Sequence, residues 1–351
     1  MIGERLKRAR DAAGLSMQSL GKQAGVSAPM IQKYERDESM PSSSVLIQLA
    51  KALNVRTEFF FRPNHIQLAE VEYRKRASTP PKVLKRITAD VLDQAERWFE
   101  LKNLWPEFPV PEFSLPRCVP EQIASLEVVE QISQDLRNEW QLGMNPIPDL
   151  IDLLESKGIL VIVSGEAHGN KFDGLQAQIE GQPVLVVSSQ WSGCRQRFTL
   201  AHELGHLLMH GRLSAELDEE RACNRFASSL LLPAVGAREH LGVKRHSVDW
   251  KELYLLKQEY GLSMGAILYR CKDLGILTDA QYKRHFIDYS ANGWRKAEPG
   301  EAIAPEQTRF FEQLVYRGAG EGLLSDSKAA ELLQMPVFAF RKARMMEGAE
   351  A

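Results

Sequence analysis

The sequence predicts a mainly helical chain with one small β-sheet, an α+β fold headed by an all-helical unit. Three observations predict it. Apolar residues recur at helical three- and four-residue spacing along most of the chain, and Gly, Pro or a polar cap closes each run. That period breaks between residues 158 and 187, where three short apolar runs read as strands. A length of 351 residues is also too great for one small core and implies two or three domains.

Residues 1–62 form the first unit. A helix runs from Ile2 to Ala13 and stops at Gly14. Ser16 caps a short second helix, Met17 to Ala24, and Gly25-Val26 makes a tight turn. Ser27 caps a third helix, with Pro29 in its first turn, where a missing N–H costs little. Pro41-Ser42-Ser43 is a loop and cap. Val45, Leu46, Leu49, Ala50 and Leu53 form the stripe of a fourth helix, and Thr57 to Phe61 is a short fifth.

Residues 63–119 read as a helical and Pro-rich connector. Charged YRKRASTPPK precedes a helix over Val83 to Leu104, and five prolines from Pro106 to Pro120 suggest a stiff, extended tether. A second globular unit spans 120–245. Helices over Ile123–Trp140 and Ile147–Lys157 lead to strands over Gly158–Val163, Gly174–Ile179 and Pro183–Val187, the last two joined by a hairpin at Glu180-Gly181-Gln182. Helices over Gly193–His210 and Glu219–Leu232 follow, and Pro233 stops the second. Residues 246–351 read as a helical C-terminal region.

The bulk numbers exclude several classes. The net charge of −2 gives no overall basic field, yet residues 1–62 carry a net +4 and the remainder about −6, the pattern of a DNA-binding head on an acidic body. Four widely spaced cysteines argue against a disulfide framework or a Cys-cluster zinc site. The opening MIGERLKRARDAAGL lacks the apolar core of a signal peptide, and no apolar run approaches the ~20 residues of a membrane span. These features read as a cytoplasmic protein without a membrane partner.

TLAHELGHLLMH carries the strongest chemical signal. His202 and His206 lie one helical turn apart, so both imidazoles face the same way and can share one ion. Glu203 can reach a water on that ion without ligating it, as a general base does. A catalytic zinc takes three protein ligands plus water, so a third ligand must come from elsewhere. Glu219 and Glu220 on the next helix compete. Glu220 shares its face with Asn224, a residue able to hydrogen-bond a ligand histidine, whereas Glu219 shares its face with Cys223, Phe226 and Leu230. His210 continues the spacing but lies roughly 12 Å from His202 along the helix, too far to share an ion. It reads as a helix-end histidine. Cys223 reads as a buried thiol, and the sequence does not place His240 or His246. The sheet before this helix offers an edge to which an extended peptide can add.

LSMQSLGKQAGVSAPMIQKYERDESMPS fits two short helices around a tight turn, with Leu15, Leu20, Val26, Ile31 and Tyr34 spaced for its core. The third helix enters the major groove in this reading. Ser27, Ala28, Pro29, Gln32, Lys33 and Arg36 face outward from it, with Gln32 and Lys33 suited to base edges and Arg36 to phosphate. A five-helix protein-interaction module is the alternative. If the head reads DNA by half-sites, a homodimer is implied.

These motifs carry a resemblance. The first 62 residues resemble an Xre-type, lambda-repressor-like helix-turn-helix. FDG at 172–174, RQRFTLAHELGHLLMH at 195–210 and ERACNRFASSLLLP at 220–233 are similar to the ImmA/IrrE family of metallopeptidases. YRCKDLGIL and GWRKAEP are similar to the tails of longer fused members. The resemblance implies a zincin-like metallopeptidase domain whose Zn2+ ligands are His202, His206 and Glu220. Cys223 replaces an alanine of the family's segment. It also implies cleavage of a DNA-binding repressor in trans. Fused members further resemble transcriptional regulators, some of them antitoxins encoded beside a toxin. Two expectations therefore stand: a zinc endopeptidase that acts on a repressor or partner protein at operator DNA, and a non-proteolytic repressor or antitoxin whose peptidase fold senses a ligand or partner.

Overall fold

In the computed structural model, residues 2–61, 81–165 and 172–347 are described. The charged stretch before residue 81 lies almost wholly outside them. The head consists of α1 (Ile2–Ala12), α2 (Met17–Ala24), α3 (Ala28–Glu35) and α4 (Ser43–Leu53). The expected fifth helix, Thr57–Phe61, is a 3-10 turn. It is a single short turn with Phe59 and Phe60 pressed inward and Phe61 exposed, and such pieces commonly take the tighter winding. Ser16, Ser27 and Ser42 each accept a hydrogen bond from a backbone N–H of the helix they open. Gly25 holds φ 71°, the left-handed cap that turns α2 toward α3. Leu6, Leu20, Ile31, Leu49 and Phe60 fill the head's core.

The remaining elements are α5 (Pro81–Leu104), α6 (Leu126–Glu139), α7 (Leu150–Ser156), β1 (Leu160–Ser164), β2 (Gly174–Ile179), β3 (Gln182–Ser188), α8 (Gly193–Met209), α9 (Glu219–Leu231), α10 (Ala234–Leu241), α11 (Trp250–Tyr260), α12 (Met264–Asp273), α13 (Asp279–Ala291), α14 (Phe310–Gly320), α15 (Asp326–Leu332) and α16 (Val337–Arg344). The sheet has the order β1-β3-β2. β1 runs parallel to β3, and β2 antiparallel to it. The central strand is buried on both faces, so its apolar run is continuous. Alternate residues divide between two cores. Val161, Leu185 and Val187 pack toward α8 and α9, whereas Leu160, Ile162, Val184 and Val186 pack toward α5 and the last three helices.

The packing crosses the boundaries suggested by the sequence at 119/120 and 245/246. Helices α11–α13 complete the core around α8, while α14–α16 join α5 on the other side of the sheet. The proline-rich segment holds no helix or strand, and it is not a free tether. Trp105, Val110 and Val119 are buried and lay it along the body. Buried Arg5 and neighbouring Arg8 of α1 both pair with Glu96 of α5, at 2.6 and 2.5 Å, which ties the head to the body.

Two further elements differ from expectation, and a third shows a long-range contact. α6 begins at Leu126, because Ile123 forms a bridge with Leu213 and Ser125 supplies the cap. α10 follows Pro233 directly, so that proline stops one helix and caps the next. α14 starts at Phe310, because Glu306 turns back to accept from the backbone of Leu150 and Ile151 at the start of α7 and to pair with Arg197. Among the described residues no helix is long and apolar enough to cross a membrane.

Glu155 on α7 is 2% exposed, and its Oε2 has no hydrogen-bond partner among the described residues. Burial, with Asp152 and Asp149 nearby, pushes its carboxyl from the ordinary 4.5 up to about 8. The folded state then holds a proton that the unfolded chain releases, so stability is full below about 4.5 and is lost as pH rises through about 8. Glu155→Gln removes this term. Urea unfolding should show the variant a few kcal/mol more stable relative to wild type at pH 9 than at pH 5; parallel pH dependences for the two proteins would contradict the assignment.

Candidate functional site

Helix α8 is buried along most of its length, because RQRFTLAHELGHLLM presents apolar residues to the sheet on one side and to α9 on the other. Gly205, between the two motif histidines, sets the approach of α9. A Cβ at this position would stand 3.2 Å from Phe226 and 3.3 Å from the Cys223 backbone. α9 begins with Asp218, whose carboxylate accepts from the Arg221 N–H at 2.7 Å. The adjoining first turn, Glu219-Glu220, therefore lies directly over the histidines. Glu130 of α6 anchors the same helix through Arg225 and also binds Arg270 of α12. Burial alone would raise the Glu130 carboxyl, but the two arginines outweigh it and hold it down to about 2.

The two histidine Nε2 atoms stand 3.1 Å apart. Glu220 places one carboxylate oxygen 3.5 Å from His202 Nε2 and the other 3.5 Å from His206 Nε2. A tetrahedral ion with bonds of about 2.0–2.1 Å separates its ligand atoms by about 3.3–3.4 Å. His202, His206 and Glu220 are the one group of at least three such side chains among the described residues whose ligand atoms converge in this way. The outer nitrogens are held separately. Asn224 Oδ1 lies 3.0 Å from His202 Nδ1, and Glu219 Oε1 lies 3.1 Å from His206 Nδ1. A carboxylate only accepts, so His206 Nδ1 donates, and in the neutral ring Nε2 then carries the lone pair. The Asn224 contact does the same for His202. With both rings neutral and Nδ1 protonated, two lone pairs and a carboxylate face one point, an arrangement that fits a cation.

The structure thus brings the expected His202, His206, Glu220 and Asn224 together. It also gives Glu219 a place that the sequence did not suggest, behind His206. The face that Glu219 shares with Cys223 reads as core, and Cys223 is indeed buried, its Sγ 3.3 Å from His206 Nδ1. Glu219 is at the helix start, however, and its longer side chain reaches past the core to the ring. Glu203 is buried on the opposite flank, its Cγ 3.5 Å from where a Cβ on Gly174 would sit at the start of β2. The Glu220 side chain is 64% exposed, so the centre opens to solvent on that side. His210 caps the end of α8 and is exposed, 3.9 Å from Glu219. His240 contacts Tyr260 and Glu259 instead of the centre.

On the head, Ser27, Pro29, Gln32, Lys33 and Arg36 are exposed and Ala28 is half-buried. They share the outer side of α3, opposite buried Ile31 and Tyr34. Ser27 Oγ accepts from the Met30 N–H, and Arg36 lies 3.7 Å from Glu38.

Comparison with known proteins matches both parts. Residues 154–272 match the peptidase family described as IrrE N-terminal-like domain, and residues 6–60 match the helix-turn-helix family. The chain is 42% identical over 60 residues to an uncharacterized transcriptional regulator in the ATPase CF(0) region of Rhodospirillum rubrum, covering 17% of this chain and 56% of that one. It is 29% identical over 90 residues to an uncharacterized HTH-type transcriptional regulator of Sinorhizobium fredii, covering 25% and 63%. A prophage-derived HTH-type regulator of Bacillus subtilis is 34% identical over 67 residues, covering 19% and 62%. The chain thus spans less than two thirds of the length of each of these relatives.

The outer contacts generate a prediction. Asn224→Ala and Glu219→Ala should each weaken zinc affinity about 10–100-fold, the usual effect of removing a residue that orients a ligand histidine, when measured by competition with a chelating dye. Unchanged affinity in both variants would contradict the roles assigned to them.

Proposed function

With a helix-turn-helix head and an IrrE N-terminal-like domain in one chain, we propose a DNA-binding transcriptional regulator with a zinc-dependent endopeptidase centre. One observation carries this reading: two imidazoles and a carboxylate converge, a hydrogen-bond partner on the outer nitrogen orients each ring, and a further glutamate follows the first histidine. His202, His206 and Glu220 are the proposed ligands, and two histidines with one glutamate are a known catalytic zinc set that leaves a coordination position for solvent. A zinc ion held there supplies Lewis-acid chemistry, polarising a peptide carbonyl and making a water acidic near neutral pH.

The protein's own groups do the rest. Glu203 is the proposed general base, taking the proton of the attacking water and delivering it to the leaving amine. Its closeness to Gly174 puts it beside β2. That strand pairs with β3 on one side and is a sheet edge, so an extended substrate can add along it. A pocket of about 440 Å³ begins at Glu220 and Asn224. Leu126, Phe198, Ala266 and Tyr269 line it, which suits a large apolar side chain next to the scissile bond.

The head supports the regulatory half of the reading. Gln32 and Lys33 can reach base edges, and Arg36 can reach a phosphate, from the exposed side of α3. On operator DNA, as a homodimer, the protein would meet a repressor or partner protein as substrate. DNA binding and four free cysteines suit the cytoplasm.

Glu203→Gln leaves the three ligands in place and removes the base. Zinc-loaded wild-type protein incubated with a bacterial lysate should create new protein N-termini, and the variant should create them at least about 100-fold more slowly at equal zinc content. New termini formed equally by both proteins would overturn the role of Glu203. No new termini from the wild type would favour a repressor that does not cleave.

A further inference from the structure

The last three helices repeat the backbone of the head. α1 and α14 each hold 11 residues, and each is followed by a left-handed glycine, Gly14 at φ 63° and Gly322 at φ 76°. The Leu15 N–H returns to the Arg10 carbonyl at 3.1 Å, and the Leu323 N–H to the Gly318 carbonyl at 2.9 Å. From the next cap onward the match runs without a gap. Ser16 caps α2 through the Ser19 N–H, and Ser325 caps α15 through the Lys328 N–H. Gly25 and Gln334 make the left-handed turn, at φ 71° and 56°. The Val26 N–H bonds the Gly21 carbonyl and the Met335 N–H that of Ala330, both at 2.9 Å. Ser27 and Pro336 then open two helices of 8 residues, α3 and α16. Ile31 and Phe340 plug the two cores at 0% exposure. The exits agree as well. Asp37 and Met346 both hold φ 55°, and the N–H groups of Glu38 and Glu347 bond back to the carbonyls of Lys33 and Lys342.

Helices α14–α16 are thus a second helix-turn-helix, outside residues 6–60 that match that family. The turn alone does not make a DNA reader. Gly261 joins α11 to α12 in the same way, at φ 67° with Ser263 as the next cap. There Leu268, at the place of Gln32, and Arg270 are wholly buried, so α12 has no such face to present. α16 differs. Phe338, Arg341 and Lys342 stand at the places of Pro29, Gln32 and Lys33, and all of them are exposed. The helix carries three cations and no acid. Asp326 of α15 takes Arg341 Nε and Arg344 Nη1, each at 2.7 Å. One carboxylate orients the two arginines without cancelling the charge of the face, and the Arg341 side chain stays 66% exposed. A polyanionic backbone suits that charge. An arginine can take guanine O6 and N7, and a phenylalanine ring can pack on a thymine methyl.

We propose that α14–α16 form a second DNA-binding unit, with α16 entering the major groove of duplex DNA and Phe338, Arg341 and Lys342 at the bases. This unit extends the DNA-binding reading of the chain and rests on it. Arg56, just past α4, donates to the Met335 carbonyl in the second turn, so the two units touch and one chain brings both to DNA.

Fluorescence anisotropy of the full chain tests this, with a labelled random-sequence duplex of about 40 base pairs, long enough for two half-sites, titrated at several NaCl concentrations. Lys342→Ala should weaken binding about fivefold or more and lower the salt slope by about one. Lys342→Arg should restore both. Lys33→Ala should weaken binding separately, and the double variant should lose about the product of the two factors. Lys342 is exposed, so its variants should keep the wild-type circular dichroism. Wild-type affinity and slope in both Lys342→Ala and Lys342→Glu, beside a loss in Lys33→Ala, would overturn the proposal and leave the head as the DNA reader. A loss in Lys342→Ala but not in Lys33→Ala would support α16 and overturn the role given to α3. No duplex binding by the wild type would overturn both. A dimer that Phe338→Ala dissociates with DNA affinity unchanged would overturn the proposal in favour of a contact between copies.

Discussion

Two imidazole nitrogens 3.1 Å apart, each on a ring whose far nitrogen has its own hydrogen-bond partner and which in the neutral form presents a lone pair inward, are the constraint around which the body is arranged. Left to themselves, such lone pairs repel, and a carboxylate facing both adds to the conflict. A protein tolerates this where a cation resolves it. The histidines are fixed by the rigid α8, and the carboxylate by an α9 that a glycine lets close. Each outer nitrogen has its own partner, so the rings are not free to rotate away.

The sheet and the outer helices serve the same geometry from a distance. β3 is buried on both faces and gives α8 a flat apolar floor, while β2 is left as an edge beside Glu203. The Glu130–Arg225–Arg270 cluster joins α6, α9 and α12, so α9 is set by charge as well as by packing. An ion cluster of this kind is a costly way to gain stability but an effective way to fix a register. The head is joined to the body by a comparable device, two arginines of α1 on one glutamate of α5.

Much of this was legible in the sequence, for identifiable reasons. Helical periodicity and Ser caps located nearly every helix, since local hydrogen bonding decides where helices start. The strands were legible because their apolar runs are short and bounded by Gly and polar turns. The i, i+4 spacing of His202 and His206 fixed their common direction, and Asn224 was found by its place one turn after Glu220. Long-range contacts were not legible. Nothing local marks Glu306 as the residue that caps α7, or Pro233 as the start of another helix. Glu219 was missed because face periodicity describes where a side chain begins, not how far it reaches. The prolines of the connector mark a segment without helix or strand, but not the buried Trp105, Val110 and Val119 that lay it on the body.

The central claim is that His202, His206 and Glu220 hold one ion together. Zinc X-ray absorption of the purified, zinc-loaded chain examines it most directly. The account predicts one zinc per chain, bonded to two imidazole nitrogens and to oxygen at about 2.0–2.1 Å, with no sulfur ligand. A protein that takes up no zinc, or a spectrum without imidazole or with Cys223 sulfur bonded to the ion, would contradict it.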